Sequence, residues 1–514
     1  MYQLLLTKRY LFSKIMPLLA AMAVVLCTAM VLVVWSVMNG FLTMLIGSGR
    51  TMTGDVAIVW PNAGFAHYQE LVSELEKDPQ VAAASPLIES FGLIALPDGR
   101  KKTVRVLGIV PETYAKVTSY YDTLHWKPLD KPLDKDIDKL DPRLHTIGGT
   151  TWAQVFENGK SLTRPDDSGT PQPAMVMGIE ASNFNERQEG GYYIPQSPYQ
   201  TMPNGELKRV DMFMPRDGKV LLSLAPLDAS GRAVEMVSRN LPVANEFQSG
   251  VFDVDDGVVI IPLEVAQDML MMNAAKRVVK KPGTSAGDGF DDDQGTLVAD
   301  PARVTTVLVR AKSDVFETAA SLRLKAAVEE IYQRFAERHK HAVPSLAMIS
   351  IDTWEEQNKM MISAVKKETV LLLVLFMIIS LVAVFLILAI FWSMVAEKTK
   401  DIGVLRAVGA SSAGVAGLWV SYGCAIGIVG STLGLGLAYV IVTNINPIHD
   451  WLGTKLNIVI WDPRIYYFIT IPNKVETDKA IIVFIAGVLS STIGAFIPAI
   501  RAALMHPVRA LRFE

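Results

Sequence analysis

The 514-residue sequence contains very little cysteine. Its two cysteines, Cys27 and Cys424, both fall inside apolar runs, so the polar middle of the chain cannot form an internal disulfide bond. The same scarcity excludes a zinc site built on cysteine ligands. The formal net charge is only −3 and there is no long Lys/Arg tract, so nothing in the charge pattern points to nucleic acid.

Motifs for catalysis and nucleotide binding are also missing. No G-x-x-x-x-G-K-[ST] sequence is present, and the histidines show no H-E-x-x-H spacing. Gly283–Gly287 (GTSAG) matches a nucleophile elbow in letters only, because it lies in a Gly/Asp-rich loop. Asp291–Asp293 lacks acids at the required positions of a calcium loop. We therefore expect no catalytic residue, no metal and no cofactor in this chain.

Four apolar runs are each long enough to cross a bilayer, which takes about 20 residues in a helix. They are Met16–Met38, Val370–Val395, Val415–Val442 and Ala480–Ile500. The first continues to Ile46 without an A-x-A site, which favours an uncleaved helix over a signal peptide. The sequence thus predicts a multi-pass membrane protein with four transmembrane helices.

Basic residues predict the orientation, because they are enriched on the cytoplasmic side. They flank the first span, the second-to-third connection and the C-terminus: Lys8, Arg9, Lys14, Lys398, Lys400, Arg406, Arg501, Arg509 and Arg512. The third-to-fourth connection is also basic, which weakens the asymmetry. We expect both termini in the cytoplasm and residues 47–367 outside the cytoplasmic membrane.

The region 47–367 has the pattern of a mixed α/β domain. Short β-branched runs predict strands, and helical spacing predicts two helices. The strands are Asp55–Trp60, Thr103–Val110, Ala174–Gly178, Gly257–Ile261 and Thr305–Arg310, and the helices are Tyr68–Lys77 and Val315–Arg338. Asp122–Asp141 is rich in Lys, Asp and Pro and predicts an exposed insertion, and Lys280–Gly295 predicts a mobile loop.

Two patterns lie in the membrane half. Gly423, Gly427, Gly430 and Gly434 line one face of the third span and would let a neighbouring helix approach closely. The charged stretch Glu397–Gly414 predicts a short helix on which Ile402, Leu405 and Arg406 share a face, with Gly409 as its end. Such a helix suits a groove on a cytoplasmic partner, although a simple turn is the alternative.

Glu397–Ala410 (EKTKDIGVLRAVGA) resembles the signature of the FtsX/MacB-like permeases of ABC transporters, in which this segment is the coupling helix. Other stretches resemble the lipoprotein-releasing LolC/LolE family within it. They are Ser36–Phe41 (SVMNGF), Leu241–Met272, Trp354–Lys367, Tyr466–Pro472 and the C-terminal segment from Pro498.

The resemblance implies three regions. These are the cytoplasmic N-terminus and first span (1–46), a large MacB-like periplasmic α/β domain (47–367), and an FtsX-like permease domain with three spans and coupling helix 397–410 (368–514). Residues near 126–173 and 276–295 have no counterpart that we recognise in the family and predict insertions.

The resemblance also implies a function and partners. The chain would be a non-catalytic inner-membrane permease subunit that releases lipoproteins to a periplasmic carrier. A separate cytoplasmic ABC ATPase dimer would bind ATP and magnesium, and a second permease protomer, identical or paralogous, would pair with this one. The alternatives are a MacB-like efflux permease, an FtsX-type regulator of cell-wall hydrolases and a stand-alone membrane enzyme.

Two sets of residues are the candidates for function. The predicted ATPase-coupling residues are Glu397, Lys398, Asp401, Ile402, Leu405 and Arg406. An adaptable apolar surface for acyl chains is predicted at the outward half of the first span, although packing of these residues against a neighbouring helix is the alternative. The residues are Val37, Met38, Phe41, Met44 and Leu45, and membrane lipid is an expected partner.

Overall fold

The computed structural model describes residues 15–61, 63–128, 151–187, 193–195, 199–201, 206–209, 212–227, 232, 234–279, 296–312, 318–340, 342–456, 458, 461 and 470–511. The predicted loop Lys280–Gly295, with GTSAG and Asp291–Asp293, lies outside these residues. The chain divides into a membrane unit (1–45, 360–461 and 470–514) and an outer unit (46–359 and 462–469).

The helices are α1 (Ile15–Thr53), α2 (Tyr68–Leu75), α3 (Pro111–Val117), α4 (Tyr120–Thr123), α5 (Trp152–Ser161), α6 (Met214–Asp217), α7 (Phe252–Gly257), α8 (Leu263–Met269), α9 (Thr318–Arg338), α10 (Trp354–Gln357), α11 (Lys359–Glu397), α12 (Thr399–Ala407), α13 (Ser412–Thr443), α14 (Ile445–Leu456), α15 (Thr477–Ala503) and α16 (Pro507–Leu511).

The strands are β1 (Val56–Val59), β2 (Val81–Ala95), β3 (Lys101–Ile109), β4 (Thr163–Pro165), β5 (Pro171–Pro173), β6 (Met175–Gly178), β7 (Asn185–Arg187), β8 (Tyr193–Pro195), β9 (Tyr199–Thr201), β10 (Leu207–Arg209), β11 (Lys219–Leu224), β12 (Val237–Phe247), β13 (Val258–Pro262), β14 (Ala275–Val279), β15 (Thr296–Asp300), β16 (Thr306–Ala311) and β17 (Ser350–Thr353).

The membrane unit contains the four predicted spans. Helices long and apolar enough to cross a bilayer cover Met16–Met44, Ile362–Glu397, Ser412–Thr443 and Thr477–Ala503. Each is apolar around most of its circumference, as expected of a helix whose solvent is lipid. The third span is the most buried of the four and the second is the least. The prediction of four transmembrane helices is confirmed.

The glycine stripe of the third span faces two neighbours. A Cβ atom at Gly427 would lie 3.0 Å from the Cα of Val488 in the fourth span. A Cβ atom at Gly430 would lie 2.7 Å from the Cβ of Val24 in the first span. Gly423 and Gly434 make similarly close approaches, to the fourth and the first span respectively. Small residues bring these backbones together, which strengthens dispersion contacts where lipid gives helices no hydrophobic drive to associate.

The outer unit is built on a nine-stranded mixed sheet in the order β11-β12-β6-β13-β3-β2-β16-β1-β17. Strand β2 is fifteen residues long, and its length lets it pair with three strands, β3, β16 and β11. Pairs β12–β6 and β13–β3 are parallel and the other pairs are antiparallel. Two hydrophobic clusters pack the sheet, and each of the five predicted strands is present.

The beginning of the predicted exposed insertion is instead part of the core. Leu124 and Trp126 are buried. The Asn245 amide donates to the Trp126 carbonyl at 2.9 Å, and the Trp126 ring N–H donates to the Glu246 carboxylate at 2.8 Å. The polar composition of 122–141 hid these two anchoring residues, and positions 129–141 lie outside the described part of the chain.

Two carboxyl groups are buried here, Glu246 at the end of β12 and Asp255 in α7. Glu246 accepts hydrogen bonds from Trp126, from the Ser182 hydroxyl at 3.0 Å and from the Asn185 amide at 2.9 Å. Asp255 accepts from the Ser249 N–H at 2.6 Å and from its hydroxyl at 2.7 Å. Burial nevertheless dominates and raises the pKa of each carboxyl to about 7.

Candidate functional site

Helix α12 lies between the second and third spans. One residue, Lys398, separates it from α11, and the Thr399 hydroxyl donates to the Ala396 carbonyl at 2.8 Å at this boundary. Lys398 and Asp401 form an ion pair at 2.8 Å across the first turn. Side chains of the motif itself therefore make the contacts at the start of α12.

Two backbone hydrogen bonds, made possible by a glycine, end α12 at its C-terminus. Gly409 has a backbone φ of +103°, which residues other than glycine adopt only under strain. The Gly409 N–H donates to the Arg406 carbonyl at 3.2 Å, and the Ala410 N–H donates to the Leu405 carbonyl at 3.0 Å. This is the Schellman arrangement, which satisfies the last carbonyls and stops the helix. Ser411 then caps α13 through the Gly414 N–H at 3.0 Å.

Arg406 reaches across this elbow. Its guanidinium donates to the Ser412 hydroxyl at 2.6 Å and lies 3.4 Å from the Ala410 carbonyl. The side chain thus links α12 to the first turn of α13. The elbow is fixed at both sides, so α12 is held stiffly relative to the third span.

The two faces of α12 have different surroundings. Ile402 is buried in a cluster with Phe391, Trp419 and Ala499 of the spans, and Leu405 is half-buried. Glu397 and Asp401 are exposed and Lys398 is half-exposed. The structure thus does not place all six predicted coupling residues on one outward surface.

Sequence reasoning missed the most exposed apolar residues of this helix. Val404 is 51% exposed and Val408, at its C-terminal cap, is 85% exposed. Their i, i+4 spacing was a visible signal of a second apolar face. Helix α16 packs against α12 with its Ala510 buried, while its Val508 remains exposed, as does Leu504, the residue that caps α15. An outward apolar surface therefore accompanies the charged residues.

At the opposite end of the membrane unit, the SVMNGF motif holds the first span to the segment that precedes the fourth. The Asn39 amide donates to the Glu476 carboxylate at 2.6 Å. Gly40 leaves room for Pro472, which a Cβ atom at that position would overlap. Phe41 is buried against Trp461 in an edge-to-face contact at 6.1 Å. The motif is therefore a three-residue joint.

The predicted substrate-contact residues are spread around this joint. Val37, Met38 and Met44 are half-exposed, Phe41 is buried, and the side chain of Leu45 lies outside the described part of the structure. A longer exposed stripe runs along the other half of the first span, at Leu18, Met22, Leu26 and Met30. Among the described residues, no group of His, Cys, Asp and Glu is arranged to hold a metal ion.

Two protein families match this chain. Residues 373–507 match the FtsX-like permease C-terminal family, and residues 18–240 match the MacB-like periplasmic core domain. The crystal structure of the periplasmic region of MacB from Actinobacillus actinomycetemcomitans aligns with 61% of this chain and 94% of its own, at 10% identity and a TM-score of 0.25. The C-terminal part of the chain is thus similar to FtsX-like permeases, and the part that precedes it is similar to MacB-like periplasmic core domains.

Several similar proteins are LolC or LolE proteins, which makes the resemblance more specific. The lipoprotein-releasing system transmembrane protein LolC of Xylella fastidiosa strain Temecula1 is 22% identical over 98% of this chain and 95% of its own length. LolC of Neisseria meningitidis is 24% identical over 31% of this chain and 39% of its own, and LolE of Haemophilus influenzae is 24% identical over 25% and 31%. The resemblance to the LolC/LolE family is confirmed.

Proposed function

We propose that this chain is the permease subunit of an ABC system that releases lipoproteins from the inner membrane to a periplasmic carrier. A separate ATPase would bind and hydrolyse ATP with magnesium, and the chain itself would catalyse no reaction. The names of the full-length and partial relatives support lipoprotein release over MacB-like efflux and over regulation of cell-wall hydrolases.

The observation that carries this proposal is the stiff attachment of α12 combined with its outward valines. A helix that transmits force must be held by its own subunit on one face and be accessible to the partner protein on the other. Ile402, the Schellman elbow and the Arg406–Ser412 hydrogen bond supply the brace. Val404, Val408 and the charges of the first turn supply the surface for a cleft in the ATPase.

In the proposed cycle, α12 is the rigid connection between the ATPase and the spans. ATP binding closes the ATPase dimer, and α12 passes the movement to the second and third spans. The first and second spans lead directly into the outer unit, since α1 extends to Thr53 and α11 begins at Lys359. The lipoprotein, held between the spans of two permease protomers, would then leave the outer leaflet. Both termini and α12 would lie in the cytoplasm.

The test of this function is co-purification with an ATPase subunit of the lipoprotein-releasing type. We expect Val408→Glu to weaken the complex by about tenfold or more, equivalent to roughly 1.4 kcal/mol. Met348→Glu introduces the same residue at an exposed apolar position of the outer unit and serves as the control. Unchanged binding by Val404→Glu, Val408→Glu and the double variant would contradict the proposal.

The acyl-chain surface has its own test. A photocrosslinker at Met44 should label lipoprotein during turnover, and one at Met22, on the other half of the same helix, should label lipid or a second protomer. Labelling of permease or bulk lipid alone from Met44 would remove the first-span residues from the substrate path.

A further inference from the structure

Helix α14 follows the third span immediately, yet the bundle does not bury it. Asn444 caps α13, and α14 begins at the next residue. None of its twelve residues is buried. An isolated helix of this length is marginal in water, so its surroundings must supply the stability that the bundle does not.

The exposed residues of α14 fall on two faces. Ile448 is 41% exposed and Trp451 is 56% exposed, and Leu456 lies about two turns after Ile448, at the edge of the same apolar face. Asp450 and Thr454 lie on the opposite face. This is the pattern of a helix that lies flat in a membrane interface, where a tryptophan ring sits at the level of the headgroups.

Hydrogen bonds hold α14 at the end of the bundle. The Asn446 amide donates to the Ile471 carbonyl at 3.0 Å, and its oxygen accepts from the Ile471 N–H at 2.9 Å. The His449 Nε2 atom accepts from the Trp461 N–H at 3.2 Å. Since the Trp461 ring also packs on Phe41, α14 is connected to the end of the first span.

We propose that α14 is a lipid-binding helix that lies along the membrane–water interface, with Ile448, Trp451 and Leu456 among the headgroups and upper acyl chains. Lys455 lies on this face, four residues after Trp451, and can extend its charge towards phosphate groups while its stem remains with the apolar residues. The partner is a lipid surface, because the helix starts where a membrane span ends and its exposed face is aliphatic and aromatic. Through Trp461 and Phe41, the helix would follow movements of the first span.

The test uses the full chain in lipid nanodiscs, with Cys27→Ser and Cys424→Ala to remove the native thiols. Spin labels are placed singly at Ile448→Cys and Trp451→Cys, with Asp450→Cys and Thr454→Cys as controls on the other face of the same helix. Collisions with oxygen report lipid, and collisions with a nickel chelate report water. We expect oxygen to dominate several-fold at 448 and 451, and the nickel chelate to dominate at 450 and 454.

Two results would overturn the proposal. Equal access of the nickel chelate at all four positions would place α14 in water. Protection of 448 and 451 from both reagents would show that protein covers the helix. All four positions carry exposed side chains, so each label can be introduced without disturbing a packed core.

Discussion

The outer unit and the membrane unit differ in how completely their buried polar groups are hydrogen-bonded. In the outer unit, the carboxylates of Glu246 and Asp255 each accept three or more hydrogen bonds. In the described part of the membrane unit, the buried hydroxyls of Ser36 and Ser431 have no hydrogen-bond partner, and close contacts rest on glycines. Polar networks specify the first unit and small-residue packing specifies the second.

The largest expected contrast is in pH dependence. Each buried carboxyl has a folded pKa of about 7, above its unfolded value, so the folded state holds the proton more tightly. The resulting stabilisation is complete below about pH 4 and is lost as the pH rises through about 7, by an amount on the order of a few kcal/mol. Hydrogen exchange of β12, corrected for intrinsic rates, should therefore be faster at pH 8 than at pH 5.

Helix α13 provides the control within the same molecule, because we expect its exchange to show no such pH dependence. Glu246→Gln should reduce the pH dependence of β12 by removing one of the two titrating groups. Equal pH dependence in the variant and the parent chain would show that Glu246 is not the group responsible.

The next effect concerns packing in the membrane unit. Gly430→Leu forces a side chain into the space occupied by Val24, and overpacking of this kind costs about 1–3 kcal/mol. Gly436→Leu makes the same change in the same helix at a position with no atom within 4 Å. In nanodiscs, the thermal unfolding temperature should fall clearly for Gly430→Leu and not for Gly436→Leu. If the two variants unfolded at similar temperatures, the glycine stripe would not be needed for helix packing.

A smaller effect is expected at the elbow after α12. Gly409→Ala places a side chain at φ +103°, a conformation that costs roughly 1–3 kcal/mol when enforced. Gly453→Ala, in open space on α14, should be neutral or slightly stabilising because alanine favours helix. ATPase stimulation by the reconstituted permease should fall for the first and persist for the second. Retained stimulation in Gly409→Ala would mean that the angle of the elbow is unimportant.

The smallest expected effect separates two roles of Arg406. Ser412→Ala removes its short hydrogen bond and should cost about 1 kcal/mol in elbow stability, with a partial loss of stimulated turnover. Arg406→Glu should lower ATPase binding or turnover further. If Arg406→Glu has no effect on assembly or turnover, Arg406 has no part in coupling. If only Arg406→Glu has an effect, its contact with the ATPase is direct.

Local sequence patterns predicted the elements whose cause is local. The four spans follow from the lengths of their apolar runs, and strands such as β13 follow from consecutive β-branched residues. Gly409 was predicted as the end of α12, because glycine tolerates the backbone conformation found there. The role of the SVMNGF joint was not predictable, since its partners Trp461, Pro472 and Glu476 are distant in the sequence.

The orientation of α12 also escaped prediction. Helical spacing grouped Ile402 with Leu405 and Arg406, but apolar residues occur on both sides of this helix. Only the surrounding bundle decides that Ile402 is buried and that Val404 and Val408 face outward. The roles of Ile402 and Leu405 in coupling stay predictions; the structure buries Ile402 among the spans and leaves Leu405 half-buried. Trp126 was similarly hidden within a polar segment.

The most direct test of the central claim is the accessibility of Val408→Cys to a membrane-impermeant maleimide, in a chain whose native cysteines are replaced. The coupling account predicts labelling in inside-out vesicles, no labelling in spheroplasts, and protection when the ATPase subunit is added. Labelling from the outside of intact spheroplasts would place α12 beyond the reach of any cytoplasmic ATPase and would contradict the account.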